Sequence, residues 1–317
     1  MKNIKNILVL GARGMVGSAI LRQLKKSSYT NILAPTREEL NLLNQEEVNT
    51  YFKHNRPTVV LNAAAKVGGI KANNTYRGDF IYSNLQIQSN VAYAARFCAD
   101  VKKMIFLGSS CIYPRMAPQP IREEYLLTGP LEYTNEPYSI AKIAGIKMCE
   151  SFYRQWGCNY ISLMPCNQYG PNDNFDLETS HVLPALMRKF HEATVGNKRY
   201  VTLWGTGQAL REFQYVDDLA DACIYAMDMI NADDIYDNNI SHLNVGTGEE
   251  ISIGDLANRL AKLTGFTGTI KYEPGTADGT PRKIMDSSRL NAFGWKNKIS
   301  LDEGLELTYN WFKDHEG

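Results

Sequence analysis

Residues 4–10 form a short, mainly apolar run that ends on Gly11-Ala12-Arg13-Gly14-Met15-Val16-Gly17 and passes directly into the helix pattern SAILRQL. An apolar run without alternation predicts a strand covered on both faces, the environment of a parallel sheet. The glycines let the backbone turn tightly and approach a pyrophosphate, which the free amides at a helix start can hold. A glycine turn can be purely structural. Strand, turn and helix in this order nevertheless predict a doubly wound α/β domain with a dinucleotide across its strand ends.

Residues 31–35 predict a second strand, ending at Thr36-Arg37. A chain that binds NAD usually has an acid there for the ribose hydroxyls. Here a guanidinium stands instead, and Arg13 lies inside the glycine loop. Two cations suit a 2′-phosphate, so NADP(H) is expected over NAD(H), unless Arg37 only balances Glu38 and Glu39. Residues 58–62 predict a third strand, and the small residues after it, Ala63 and Ala64 first, let a cofactor's adenine side lie against backbone. Residues 76–99 read as a long helix, and 103–107 as a fourth strand running into Gly108-Ser109-Ser110-Cys111-Ile112-Tyr113-Pro114. A hydroxyl at the end of such a strand faces the cofactor cleft.

Tyr138 and Lys142 share one face of a helix whose first turn holds Pro137, where a missing amide is tolerated. An ammonium beside a phenol favours phenolate, and such a tyrosine can exchange a proton with a carbonyl or alcohol oxygen. Any amphipathic helix can carry this pair. With the glycine turn and Ser109 preceding it, the catalytic reading prevails.

Residues 160–164 predict a fifth strand, closed by Pro165-Cys166-Asn167-Gln168-Tyr169-Gly170-Pro171, a turn placed to line the nicotinamide end of the cleft. Strands at 201–204 and 242–245 and helices at 253–263 and up to about residue 314 follow with less regular alternation. This pattern predicts a smaller, interleaved α/β substrate domain. The cofactor domain is expected over 1–170 and about 212–246, and the substrate domain over about 171–211 and 247–317.

Lys plus Arg equals Asp plus Glu at 34 each, so no global field draws nucleic acid or membranes. The six scattered cysteines lack a CxxC pair and suit reduced thiols better than disulfides or a zinc site, and no metal is expected. The apolar start is too short for a signal peptide or a span, so a cytoplasmic protein is expected.

GARGMVG, GSSCIYP, NEPYSIAKIAGIK, NQYGPNDNF, SHVLPALMRKFHEA, WGTGQALREF, NVGTG and DGTPRK follow one another along nearly the whole chain. Together they resemble the GDP-L-fucose synthase family of extended short-chain dehydrogenases, with whose Rossmann domain the GxxGxxG spacing agrees. The glycine spacing and YxxxK are superfamily-wide; SSCIYP and SHVLPALMRKFHEA are more specific. The resemblance implies NADPH-dependent reduction at carbon 4 of GDP-4-keto-6-deoxy-D-mannose and epimerisation at carbons 3 and 5. Tyr138 would be the acid, Lys142 its electrostatic partner and a ribose ligand, and Ser109 the holder of the ketone oxygen.

Cys111 and His181 match the family's base and acid for epimerisation, with their division of labour between the two carbons left open. On their own, Cys111 would read as a small core residue and His181 as a structural histidine at a helix start, where the dipole disfavours imidazolium. Cofactor contacts are implied at Gly11, Ala12, Arg13, Gly14, Met15, Val16, Gly17, Arg37, Leu42, Ala63 and Ala64. Further along they fall on Leu107, Gly108, Lys142, Pro165, Cys166, Asn167, Gln168 and His181. For the nucleotide-sugar, Lys189 and Arg211 suit the diphosphate and Trp204 an aromatic or sugar face. Asp278 suits ribose hydroxyls or guanine donors, and Lys283 is a further candidate. Their plainer readings are a solvated helix face, an acid's partner, a core tryptophan and a loop carboxylate.

The chain departs from the family pattern at Cys166 and Gln168, where threonine and leucine are frequent, and at Asn172. The resemblance also implies a homodimer built partly on the YxxxK helix. Competing readings are another GDP-4-keto-6-deoxy sugar such as a heptose, reduction without epimerisation, and a non-catalytic NADP-sensing protein.

Overall fold

The computed structural model describes residues 6–273 and 280–317. Its first half alternates strand and helix: β1 (Ile7–Leu10), α1 (Met15–Lys26), β2 (Ile32–Leu33), α2 (Gln45–Asn55), β3 (Val59–Asn62), α3 (Ile70–Thr75), α4 (Arg77–Phe97), β4 (Lys103–Leu107), α5 (Glu136–Trp156) and β5 (Tyr160–Pro165). The order then becomes β6 (Asn167–Tyr169), α6 (Val182–Val195), β7 (Tyr200–Trp204), β8 (Leu210–Arg211), β9 (Phe213–Tyr215), α7 (Val216–Met229), α8 (Ala232–Tyr236) and β10 (Leu243–Val245). Last come β11 (Ile251–Ser252), α9 (Ile253–Thr264), β12 (Thr269–Glu273), β13 (Arg282–Lys283), α10 (Ser288–Ala292) and α11 (Leu301–His315).

Six strands form one sheet in the order β10-β5-β4-β3-β1-β2, and every pairing in it is parallel. Successive side chains of a strand point to opposite faces. Ile7 and Val9 therefore join the core under α1 and α7, while Leu8 and Leu10 join the core under α2, α4 and α5. Covering on both faces is why β1, β3, β4 and β5 read as continuous apolar runs rather than alternating ones. This is the doubly wound Rossmann-type architecture expected from the glycine turn.

Strand order reverses beside β1, which opens a crevice at the carboxyl ends of β1, β3, β4 and β5, where such sheets bind ligands. A third core, with Leu186, Phe190, Leu203, Leu256 and Phe312, lies between α6, α9, α11 and β7. The short strands β8, β11 and β13 make a separate sheet, and β6 pairs with β9.

Two boundaries differ from the sequence reading. The second strand is only Ile32–Leu33, because it is the sheet edge with one neighbour and meets Pro35, which has no amide to pair. Helix α1 begins at Met15, so Gly17 is a helical residue and not part of the turn. Among the described residues, no helix is long and apolar enough to cross a membrane.

Candidate active site

One cleft of about 1340 Å³ runs along the strand ends. A single small ligand usually occupies roughly 300–1,000 Å³, so this space suits two ligands end to end. It is lined by every residue nominated from the sequence except Asp278, which lies outside the described residues.

The glycine turn fits a dinucleotide phosphate by close approach. Gly11 has φ +77° and packs so tightly that a Cβ would lie 2.8 Å from the Ala64 amide nitrogen. A Cβ on Gly17 would lie 2.0 Å from the Gly11 carbonyl oxygen, so the helix can press against the turn only as glycine. Gly14 caps α1 without a side chain, leaving the first-turn amides facing the crevice. Arg13 and Arg37 are exposed at its rim. The plainer reading of Arg37 finds no support, since Glu39 caps the Thr36 amide at 2.7 Å instead.

At the end of β4, Ser109 caps a single helical turn, Ser110–Ile112, that carries Cys111. Tyr113 anchors this loop from below. Asn244 donates through Nδ2 to the carbonyls of Ile121 and Asp286, at 3.0 and 3.1 Å, so its Oδ1 accepts the Tyr113 hydroxyl at 2.5 Å. The phenol has no second proton, so His242 must donate from Nε2, at 2.6 Å, and accept from Ser241 at Nδ1. Burial pushes His242 down to about 3, which keeps that tautomer neutral.

Burial raises the Tyr138 pKa, the neighbouring Cys111 adds to the rise, and Ser109 opposes it. The phenol is thus held protonated. The expected lowering by Lys142 is not seen, for a geometric reason. The Lys142 Nζ donates to the Leu107 carbonyl at 2.8 Å and sits 5.8 Å from the Tyr138 ring centroid. Burial lowers Lys142 itself to about 8.

His181 is the N-cap residue of α6 but makes no capping bond with its side chain. Its ring opens onto the cleft, and surrounding protein, with Lys283 adding repulsion, lowers its pKa and favours neutral imidazole. Cys166 is buried, and burial holds its thiol well above the ordinary range, with Glu212 contributing. Asn167 is held by the Glu212 carbonyl at 2.8 Å.

At the other end of the cleft, Lys189 stands 4.9 Å over the exposed ring of Trp204, so the two form one surface rather than two separate ones. Burial lowers the Lys189 pKa, and Glu273 opposes this. Lys283 pairs with Arg211 in the register of β13 and β8, setting two cations side by side on the cleft wall. Sequence reasoning missed the residue that organises this wall. Glu212, fully buried, accepts the amides of Gly248 at 2.8 Å and Met285 at 2.9 Å. Only the adjacent Arg211 and the NVGTG turn hinted at it.

Residues 7–246 match the NAD dependent epimerase/dehydratase family. GDP-L-fucose synthase 1 of Arabidopsis thaliana is 53% identical over 96% of this chain and 92% of its own length. GDP-L-fucose synthase of Escherichia coli is 51% identical over 98% of both chains. Among solved structures, the GDP-mannoheptose C4 reductase MlghC from Campylobacter jejuni, with NADP bound, superposes with TM-score 0.90 at 40% identity over 99% of both chains. The chain belongs to the NAD dependent epimerase/dehydratase family and, within it, to the GDP-L-fucose synthase group of extended short-chain dehydrogenases.

Proposed function

We propose that this protein converts GDP-4-keto-6-deoxy-D-mannose to GDP-L-fucose by epimerisation at carbons 3 and 5 and reduction at carbon 4. The observation that carries the reading is the convergence of Ser109, Cys111, Tyr138, Lys142 and His181 on one cleft that also holds the glycine turn and the Arg211–Lys283 wall. Identity favours this substrate over the heptose alternative: four curated fucose synthases stand at 51–53%, with others from 48% down to 37%, while the solved heptose enzymes stand at 37–40%.

NADP(H) is the cofactor, on the strength of the NADP-bound relative and of Arg13 and Arg37 at the rim; when bound, it supplies the hydride for carbon 4. Carbons 3 and 5 both lie alpha to the ketone, so loss of either proton places charge on the same oxygen. Ser109 and the protonated Tyr138 are the donors to that oxygen. Cys111 and His181 remove and return the alpha proton on opposite faces, which inverts the carbon. The neutral imidazole of His181 is suited to accept a proton, and as imidazolium to return one. Tyr138 then gives its proton to the alkoxide left by reduction, and Lys142 offsets the phenolate charge. Arg211 and Lys283 take the diphosphate, and residues of about 171–211 and 247–317 form the nucleotide-sugar side.

Tyr82, Tyr93 and Phe97 on α4 and Ile140 on α5 are exposed on the two helices that flank the sheet together, and we read this face as a homodimer surface. The six cysteines are all free, which fits a cytoplasmic enzyme. The test is loss of NADPH absorbance with GDP-4-keto-6-deoxymannose, compared between wild type and Tyr138→Phe. The expected result is a fall in kcat of about 10²–10⁴-fold, the usual worth of a positioned acid. Equal rates would overturn the acid role, and no turnover in wild type would overturn the substrate.

A further inference from the structure

Gln168 stands on β6, just beyond the end of β5, and lines the cleft. Its Nε2 donates to Oε1 of Gln214 at 3.0 Å and to the Cys166 carbonyl at 3.3 Å. Gln214, fully buried on β9, donates in turn to Oδ1 of Asn297 at 3.0 Å. Asn297 then donates to the Ile299 carbonyl at 2.9 Å.

A carbonyl can only accept, so Ile299 fixes the direction of every amide in this chain. Asn297 must turn its nitrogen to Ile299, Gln214 its nitrogen to Asn297, and Gln168 its nitrogen to Gln214. A flipped Gln168 would face two acceptor oxygens with a third. Its Oε1 is therefore a committed acceptor on the amide's other side. That atom is buried and has no hydrogen-bond partner among the described residues. Buried acceptors are rarely left so, because an unmade bond costs stability unless a ligand completes it.

The topology indicates which ligand group arrives there. The turn after β1 takes the phosphates and Arg37, after β2, the adenosine end, so the second nucleoside runs the other way, past β4 to β5. The carboxamide is the nicotinamide ring's only N–H donor, and it is attached next to the carbon that carries the hydride. We propose that Gln168 orients the bound nicotinamide, its Oε1 accepting a carboxamide N–H, with Gln214 and Asn297 as positioning residues that hold its polarity. This rests on the NADP(H) reading above. Fixing the carboxamide fixes which ring face meets Ser109 and Tyr138. A leucine at this position could not do so, which makes the contact a property of this chain.

The test is a binding cycle by calorimetry, with no turnover involved. NADP⁺ and its 3-acetylpyridine analogue, in which a methyl replaces the carboxamide NH₂, are titrated into wild type and Gln168→Leu. 2′-Phospho-ADP-ribose, which lacks nicotinamide, is titrated into both as a control. Wild type is expected to bind the analogue about tenfold more weakly than NADP⁺, the scale of one buried acceptor left unpaired, and Gln168→Leu to bind the two alike. The same discrimination in both enzymes overturns the proposal. So does a Gln168→Leu defect seen with the nucleotide-sugar but not with NADP⁺, which would assign the acceptor to a sugar hydroxyl. Failure of the fragment to bind wild type would instead strike the cofactor reading itself. Should Gln168→Leu not fold, Gln168→Met, close to glutamine in length but without the amide oxygen, takes its place. Reduced discrimination there supports the proposal, and unchanged discrimination overturns it.

Discussion

Glu212→Gln replaces one oxygen by nitrogen where both carboxylate oxygens accept buried bonds. Oε1 takes the Gly248 amide at 2.8 Å and the Thr247 hydroxyl at 3.4 Å, and Oε2 takes the Met285 amide at 2.9 Å. A glutamine must turn its NH₂ towards one of these donors, leaving a buried N–H unpaired at a cost of about 1–3 kcal/mol. The carboxyl itself is pushed up from 4.5 to about 6, by burial first, with the three donors pulling the other way. Between those values the folded protein binds a proton that the unfolded chain does not. The wild type therefore gains stability on acidification, fully present below the unfolded pKa and lost as pH rises through 6. The gain is about 2 kcal/mol, and glutamine, which does not titrate, has none of it.

The penalty of Glu212→Gln should thus grow from about 1–3 kcal/mol at pH 7 to about 3–5 kcal/mol at pH 4. Hydrogen bonding alone suggests the reverse, since the ionised carboxylate is the better acceptor. Urea unfolding of both proteins at the two pH values measures it, and all other titrating groups cancel in the difference. A penalty that is constant, or smaller at pH 4, would refute the burial argument. Because Glu212 ties together the strands bearing Arg211 and Lys283, the variant should also raise KM for the nucleotide-sugar while leaving NADP⁺ affinity unchanged.

Lys142, lowered to about 8, should place an alkaline limb in kcat/KM for NADPH near that pH, since this ratio reports the free enzyme. Lys142→Arg should keep its charge and flatten the limb; a wild-type profile level to pH 10 would contradict the burial of the amine. His242, held neutral with a pKa of about 3, should make wild type lose stability relative to His242→Gln as pH falls from 6.5 towards 3, by about 1.4 kcal/mol per pH unit. The unfolded histidine binds the proton that the folded one refuses. Paired unfolding curves with no pH dependence in their difference would show that His242 is not so buried.

The parts of the site legible from sequence are those encoded locally. The apolar run before Gly11, the strand-end Ser109 and the Tyr138–Lys142 spacing each carry their geometry within a few residues, and the fold brings them to one cleft. What was not legible depends on partners far apart in the chain. Glu212 is identified only by amides at positions 248 and 285, and Tyr113 only by Asn244 and His242. The polarity of Gln168 is set by the nearby Cys166 carbonyl and also by a carbonyl at position 299, through two intervening amides. The Tyr138–Lys142 pair also shows the limit of spacing. A shared helix face brings the residues near each other, but the Leu107 carbonyl and burial decide where the ammonium points and which way each group titrates.

One product analysis tests most directly whether Cys111 and His181 work on the same ketone that Tyr138 protonates. GDP-4-keto-6-deoxymannose is turned over with NADPH in deuterium oxide, and the reduced sugar is examined for label at each carbon. Deuterium at both carbon 3 and carbon 5 is the predicted result, with Cys111→Ser losing that label while still reducing an already epimerised ketone. A reduced product carrying neither label would leave a reductase only, and the two-step chemistry assigned to this cleft would be wrong.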